Sequence, residues 1–469
     1  MQKAGCPKPC VINDFWFMTE LLGAPLSPIS LAPDIQVNPN PSFVDKEVGI
    51  TLRGIRPGLR VSILAETEDD DRRTWKSAAE FTADASGEVN VSRGESLGGS
   101  YRGISAMGLF WSMKLAALAA NDGSTFKKTT DESHHVRVTA RLDEQTVAHC
   151  VLERRYVGPG TIVRDLKIDG QVPNSDGVTV GRLFIPPGSG SHPVVIVLSG
   201  SGGGFDIDKA AVLSRHGFAT LALAYFGIEP LPSWLNRIPL EYFEDAINWL
   251  RSQPEVDPER IGTLGVSRGA ELALLLGATF PLIRAVVAYA PSSVAWAASG
   301  RDKATGELIP CWTHRGEPIP FAPLPLRRFM LLSAFPVVAL KRPVLFRNLF
   351  RAGLRNSGPV RRAAIQVERT QGPILLISGG DDHLWPAAEM SEAILVRLKQ
   401  KHFPHAFEHL HYPEAGHMLR YPFLPTTPRV SSNKHLRGAK FSFGGNAEAD
   451  ADAQCDSWRR SVAFLKKHL

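Results

Sequence analysis

Two hydrophobic patterns divide the chain. Between about residues 41 and 157, apolar and polar positions alternate, as at Val48, Ile50 and Leu52, at Val61 and Ile63, and at Val136 and Val138. A period of two predicts strands with one buried face. Arg56-Pro57-Gly58, Ala85-Ser86-Gly87 and Asn121-Asp122-Gly123 read as the turns between them. Short alternating strands at this spacing predict an all-β, antiparallel, immunoglobulin-like sandwich. Gly158-Pro159-Gly160 reads as a hinge, and beyond it the runs become wholly apolar, as at Val194–Leu198 and Ala219–Ala224. Such runs suit strands buried on both faces. Between them, Phe243, Ile247 and Leu250 recur on one face of a helix predicted over Glu241–Ser252. Further strands are expected at Val180–Ile185, Ala285–Ala290, Pro373–Ser378 and Phe407–Tyr412. Helices are expected at Ala210–Ser214, from about Pro386 to Lys399, and near Asp456–His468. Alternating strands and helices predict a doubly wound, mostly parallel sheet. The expected organisation is a leader over residues 1–40, a β-sandwich over 41–157 and a catalytic domain over 158–469. Within the last, the alternation lapses from about 291 to 370, which reads as a cap-like insertion.

One junction stands out. The apolar run Ile261–Val266 passes into the helix former Ala270-Glu271-Leu272-Ala273-Leu274 through Gly265-Val266-Ser267-Arg268-Gly269. This is the shape of a nucleophile elbow, in which a strained turn lifts the serine hydroxyl above an α/β-hydrolase sheet. Gly265 and Gly269 suit the tight turn because side chains there would meet the neighbouring strand and helix.

A serine hydroxyl needs a base, and the base needs an orienting carboxylate. In this fold the order along the chain is Ser, acid, His, with the last two in loops after strands. Gly379-Gly380-Asp381-Asp382-His383 follows one predicted strand, and Tyr412-Pro413-Glu414-Ala415-Gly416-His417 follows the last. Asp382 is preferred to Asp381 because an acid loop commonly places an apolar residue and a proline, here Trp385-Pro386, just downstream. Candidate triad residues are therefore Ser267, Asp382 and His417. Backbone donors for the oxyanion are expected at Arg268 and, in the glycine-rich turn Gly200–Gly204, at Gly202 or Gly203. That turn lacks the Lys-Ser/Thr ending of a phosphate loop.

Composition changes this picture little. Hydrophobic residues make up 43% and charged residues 21% of the 469, as in ordinary globular proteins. A net charge of +6 is too mild to suggest a nucleic-acid partner. Its distribution is more informative. From Pro318 to Val367 there is no Asp or Glu, against nine basic residues that include Arg347 and Arg351. The five cysteines form no zinc pattern, and His134-His135 would point to opposite faces of a strand. His409 and His411 would share a face, but no carboxylate or cysteine cluster accompanies them, so no metal is expected. No run is long enough to span a bilayer and no signal peptide is evident. The terminal Lys467-His468-Leu469 departs from a peroxisomal Ser-Lys-Leu at two positions, which leaves the cytoplasm as the expected compartment.

The sequence resembles the type I acyl-CoA thioesterases and bile acid-CoA:amino acid N-acyltransferases. The resemblance spans roughly residues 35 to 469. It rests on Gly98-Gly99-Ser100-Tyr101, Met107-Gly108-Leu109-Phe110-Trp111, Gly200–Gly204, Leu223-Ala224-Tyr225-Phe226, Leu240-Glu241-Tyr242-Phe243, the elbow, and the two loops that hold Asp382 and His417. It implies hydrolysis of fatty acyl-CoA, of medium or long chain, through an acyl-serine intermediate, with Ser267, Asp382 and His417 as the triad. Coenzyme A is then part of the substrate, and no separate cofactor is implied. Members that resemble the N-acyltransferases tend to carry Cys at the nucleophile, so Ser267 favours water as acceptor. Amino-acid transfer remains the alternative, as does a carboxylesterase or dienelactone-type hydrolase on the same fold. The basic insertion has three readings. It could be a cap whose Arg347 and Arg351 meet CoA phosphates while Phe329, Leu331, Leu332 and Phe335 line an acyl tunnel. It could lie weakly on an anionic membrane surface, or be a cap with a solvated basic face.

Overall fold

In the computed structural model, residues 32–116, 124–169, 178–302, 304–329, 334–340, 342–433 and 439–469 are described. The turn expected at Asn121-Asp122-Gly123, together with Leu331 and Leu332, lies outside them. The first region is built from β1 (Asp34–Asn38), β2 (Ser42–Phe43), β3 (Gly49–Arg53), β4 (Arg60–Glu68), β5 (Thr74–Thr82), β6 (Val89–Asn90) and β7 (Gly98–Gly99). A single helical turn α1 (Gly108–Trp111), then β8 (Lys114–Leu115), β9 (His134–Leu142) and β10 (Gln145–Arg155) complete it. One sheet has the order β1-β3-β6, and a larger one the order β2-β10-β9-β4-β5-β7, with β8 beside β5. Alternation decides what faces inward: Val61, Ile63 and Ala65 of β4 meet Val136, Val138 and Ala140 of β9 in one cluster with Ile50 and Leu52. β1 corrects the expected extent of the leader. Its five residues fall inside the 1–40 stretch, yet pair antiparallel with β3 and bury Ile35 and Val37.

The second region holds an eight-stranded sheet. Its strands are β11 (Ile162–Asp169), β12 (Val178–Ile185), β13 (His192–Leu198), β14 (Ala219–Ala224), β16 (Val256–Val266), β17 (Ile283–Tyr289), β22 (Ile374–Gly379) and β23 (Phe407–Tyr412). Their order is β11-β12-β14-β13-β16-β17-β22-β23. β11 and β12 are antiparallel to their neighbours and the rest are parallel, the α/β-hydrolase arrangement. On one face, Val195, Val197, Leu264 and Val287 pack under α2 (Ile207–Ser214) and α10 (Ala447–His468). On the other, Val194, Ile196, Ile261 and Val286 pack under α3 (Glu241–Arg251), α4 (Arg268–Thr279) and α9 (Ala387–Gln400). The first of these cores is continuous with that of the N-terminal sheets. α10 starts well before Asp456: Asn446 caps it by accepting from the Ala449 amide at 2.9 Å, and its first turns bury only Ala451 and Ala453 as apolar residues.

The remaining elements sit around the carboxyl ends of the strands. They are β15 (Ile238–Pro239), β18 (Ala297–Arg301), β19 (Leu308–Pro310), β20 (Trp312–His314), β21 (Glu317–Pro318), β24 (Val430–Asn433) and β25 (Ala439–Ser442). Four short helices join them: α5 (Leu326–Phe329), α6 (Phe335–Ala339), α7 (Arg347–Leu354) and α8 (Ser357–Ala363). A third apolar cluster lies beneath these helices, with Trp296, Phe329, Leu349 and Trp385 at its heart. Phe335, expected to line a tunnel, is instead 70% exposed, whereas Phe329 is buried. Among the described residues no helix is long and apolar enough to cross a membrane.

Candidate active site

Three parallel strands deliver the candidate residues to one edge of the sheet. β16 ends at Val266, just before Ser267, β22 leads to Asp382 and β23 leads to His417. Ser267 has φ 58° and ψ −118°, a strained conformation for a residue with a side chain. The glycines explain how the chain turns there. A Cβ on Gly265 would lie 2.0 Å from the Gly269 carbonyl oxygen, and one on Gly269 would lie 2.4 Å from that of Ser199. α4 begins at the next residue, so the Arg268 amide belongs to the helix's first turn, where amides have no partner within the helix.

His417 Nδ1 lies 2.7 Å from Asp382 Oδ2. The other oxygen, Oδ1, accepts from the amides of Leu384 and Trp385 at 2.7 and 3.1 Å. Asp382 is 1% and His417 5% exposed, so this pair is dry and its carboxylate is fully engaged. The indole of Trp385 bridges to the elbow. Its ring is 6.2 Å from that of His417 and 5.9 Å from the guanidinium carbon of Arg268.

The residue after Ser267 is anchored by a charge pair that sequence reasoning missed. Arg268 Nη1 donates to Glu271 Oε2 at 2.9 Å and Nη2 to the Ala297 carbonyl at 3.0 Å. Glu271 Oε1 accepts from the Trp296 amide at 3.1 Å and from Trp312 Nε1 at 2.8 Å. Burial raises the Glu271 carboxyl above its usual range, against the opposing pull of Arg268. The pair thus links the elbow to the loop after β17 and to β20. A Glu one turn into a helix of otherwise apolar residues was the available signal. Nearby Cys311 is pushed up to about 12 by burial and stays a thiol.

The glycine-rich turn lies against the elbow, since a Cβ on Gly200 would be 3.5 Å from that of Ser267. It is held by Tyr225, whose hydroxyl donates to the Ser199 carbonyl at 2.6 Å, and by Ser199 Oγ, which donates to Gly204 O at 2.9 Å. Of the two expected oxyanion donors, Gly203 already donates its amide to Gly200 O at 3.2 Å, and its φ of 69° serves the turn. Around Gly202 the space is open. The expected CoA ligands are also engaged within the chain. The Arg347 guanidinium is 3.9 Å from Asp381, and Arg351 pairs with Glu389 on α9. His409 Nε2 and His411 Nδ1 share a strand face and approach the same Ser378 hydroxyl, at 2.8 and 3.3 Å.

A second missed feature is Gly444-Gly445. The Phe443 carbonyl accepts from the amides of both His417, at 3.0 Å, and His383, at 3.3 Å. Gly444 has φ 76°, and a Cβ there would lie 1.7 Å from the Asp381 carbonyl oxygen. This turn fastens the acid loop to the histidine loop.

The family described as the acyl-CoA thioester hydrolase/BAAT N-terminal region matches residues 45–168, and the BAAT/acyl-CoA thioester hydrolase C-terminal family matches residues 238–469. Acyl-coenzyme A thioesterase 2, mitochondrial, of Mus musculus is 33% identical over 438 residues, covering 91% of this chain and 87% of that protein. The chain belongs to the BAAT/acyl-CoA thioester hydrolase family. Other members similar to it are acyl-coenzyme A thioesterase 1 of Homo sapiens, 31% identical and covering 91% and 94% of the two chains, and the peroxisomal succinyl-coenzyme A thioesterase of Mus musculus, 32% identical and covering 94% and 97%. Among solved structures, an alpha/beta hydrolase from Penicillium sp. sh18 is 18% identical, with a TM-score of 0.37, covering 66% of this chain and 99% of that one. A puromycin-hydrolyzing peptidase of Mycobacterium tuberculosis is 14% identical, with a TM-score of 0.41, covering 92% and 67%.

Proposed function

We propose that this family member is a serine acyl-CoA thioesterase. The observation that carries the reading is the dry Asp382–His417 pair, joined through the Trp385 ring to the residue after a strained serine at a helix N-terminus. Ser267 Oγ attacks the thioester carbonyl while His417 Nε2 takes its proton. Asp382 keeps the Nδ1–H oriented and stabilises the imidazolium. The amides of Arg268 and Gly202 receive the oxyanion. Collapse expels the CoA thiolate, which leaves with the proton from His417. Water, deprotonated by the same histidine, then hydrolyses the acyl-serine ester and frees the fatty acid. A serine ester is less prone to aminolysis than a thioester, which supports water over an amino acid as acceptor.

The apolar cluster of Trp296, Phe329 and Phe350 supports medium or long acyl chains. Arg351, 42% exposed, and the exposed Arg355, Arg361 and Arg362 present cations suited to phosphate. Residues 34–157 act as an immunoglobulin-like sandwich and 158–469 as the catalytic domain. The test is thiol release from palmitoyl-CoA, with and without glycine or taurine. Release without the amino acid, and no acyl amide with it, is expected. Turnover of p-nitrophenyl esters alone would sink the thioesterase reading in favour of a carboxylesterase, and acyl-amide formation would favour transfer.

A further inference from the structure

The chain beyond His417 has no regular structure until β24, so its backbone and side chains must find partners elsewhere. Some are in α2 and α10, where Asp208 accepts from Tyr421 and Gln454 donates to the Met418 carbonyl, and others are in the N-terminal region. The Thr426 amide donates to the Trp111 carbonyl at 2.9 Å, and Thr427 Oγ1 to the Met113 carbonyl at 2.5 Å. Arg420 reaches the Phe126 carbonyl at 3.2 Å and, with its other nitrogen, Asp208 of α2 at 2.6 Å. Two of the three acceptors thus lie in or just beyond the Met107–Trp111 motif, which no step of the proposed chemistry uses. That motif is shaped for close approach: a Cβ on Gly108 would lie 2.3 Å from the Tyr101 ring.

We infer that the N-terminal region is a positioning element for the catalytic histidine. The end of α1, the residue Met113 just beyond it and Phe126 form a shelf of backbone carbonyls. The segment 420–427 docks on that shelf and fixes the loop from which His417 reaches Asp382. The buried Asp382–His417 pair sets one end of this loop, and the shelf sets the other. Without the second attachment the imidazole would keep its carboxylate partner but lose its aim at Ser267. The inference rests on the reading of Ser267 and His417 as nucleophile and base. Thr427 and Arg420 are positioning residues, since neither touches the reacting atoms.

The experiment uses the full chain and the Thr427→Val, Thr427→Ser and Arg420→Lys variants. Valine keeps the shape of threonine and removes only the donor, serine restores the donor, and lysine can reach Asp208 but not the Phe126 carbonyl as well. Two readouts are taken well below the melting temperature: kcat and KM for acyl-CoA, and the rate at which a fluorophosphonate labels Ser267. Misplacing a catalytic group by about 1 Å can cost about a hundredfold. Thr427→Val and Arg420→Lys are expected to lose about tenfold or more in kcat with KM within about twofold, with labelling slowed in parallel and Thr427→Ser near the wild type. Wild-type labelling rates in the Val and Lys variants would overturn the inference alone. A wild-type protein that is not labelled at Ser267 would overturn the nucleophile reading first, and this inference with it.

Discussion

The neighbours Asp381 and Asp382 belong to two sets of serine, histidine and aspartate that are built differently. In the first, Asp382 pairs with His417, and the Trp385 ring lies between that histidine and Arg268 of the elbow. In the second, its neighbour Asp381 lies 2.9 Å from His383 Nε2, and His383 Nδ1 lies 2.8 Å from Ser442 Oγ. The residue types are the same. The first aspartate is buried and has its oxygens filled by two amides and one imidazole. The second has a side chain 46% exposed and shares itself among His383, Arg347 and the Gly445 amide. Ser267 is lifted by a left-handed φ onto the start of a twelve-residue helix. Ser442 ends a short strand, and its oxygen already accepts from the Gly444 amide at 3.1 Å. What separates the candidate site from a structural tie is the backbone around the groups: a strained turn, a helix N-terminus and a buried carboxylate.

Breaking the first set should have the largest effect. Ser267→Ala is expected to lower kcat by about 10^6 on every acyl substrate, measured as thiol release. Asp382→Asn should keep the packing but present the wrong tautomer of His417, for a loss of about 10^4 in kcat. Residual activity in either variant near that of the wild type would refute the assignment.

The support beneath the elbow comes next. Glu271→Gln leaves Arg268 buried without its counter-charge, and should cost about 3–5 kcal/mol of stability, read from denaturant unfolding. The buried Arg268→Met/Glu271→Gln double variant should recover part of that loss, because removing both charges removes the desolvation penalty as well. No recovery would show that the pair matters through its bonds to Ala297 and Trp312 more than through its charge.

The smallest effects belong to the second set. Asp381→Asn exposes no buried charge, so its cost should stay within about 1 kcal/mol, and Ser442→Ala should leave kcat within about twofold. A hundredfold loss of kcat from Ser442→Ala would erase the distinction between the two sets.

Much of the fold was legible because its signals are local. β14 and β23 begin and end at the residues their apolar runs predicted, Ala219–Ala224 and Phe407–Tyr412. The first turns of α10 were not, because Ala-Glu-Ala-Asp-Ala-Asp carries no apolar stripe of large residues, and its burial is set by close approach of small ones. β1 was hidden for a related reason. Five residues between prolines carry too little pattern to be told from a leader, and only pairing with β3 makes them a strand.

The chain's own pattern determined the parallel sheet, the elbow and the order of Ser267, Asp382 and His417, since each depends on residues close together in sequence. The tertiary structure alone decided that Arg347 and Arg351 turn to carboxylates of the same chain. It also decided that Gly444-Gly445 stitches two loops together and that the N-terminal region reaches the histidine loop. The physical reason is shared. These contacts join segments tens to hundreds of residues apart, and their geometry is set by how whole layers pack, which no local period encodes.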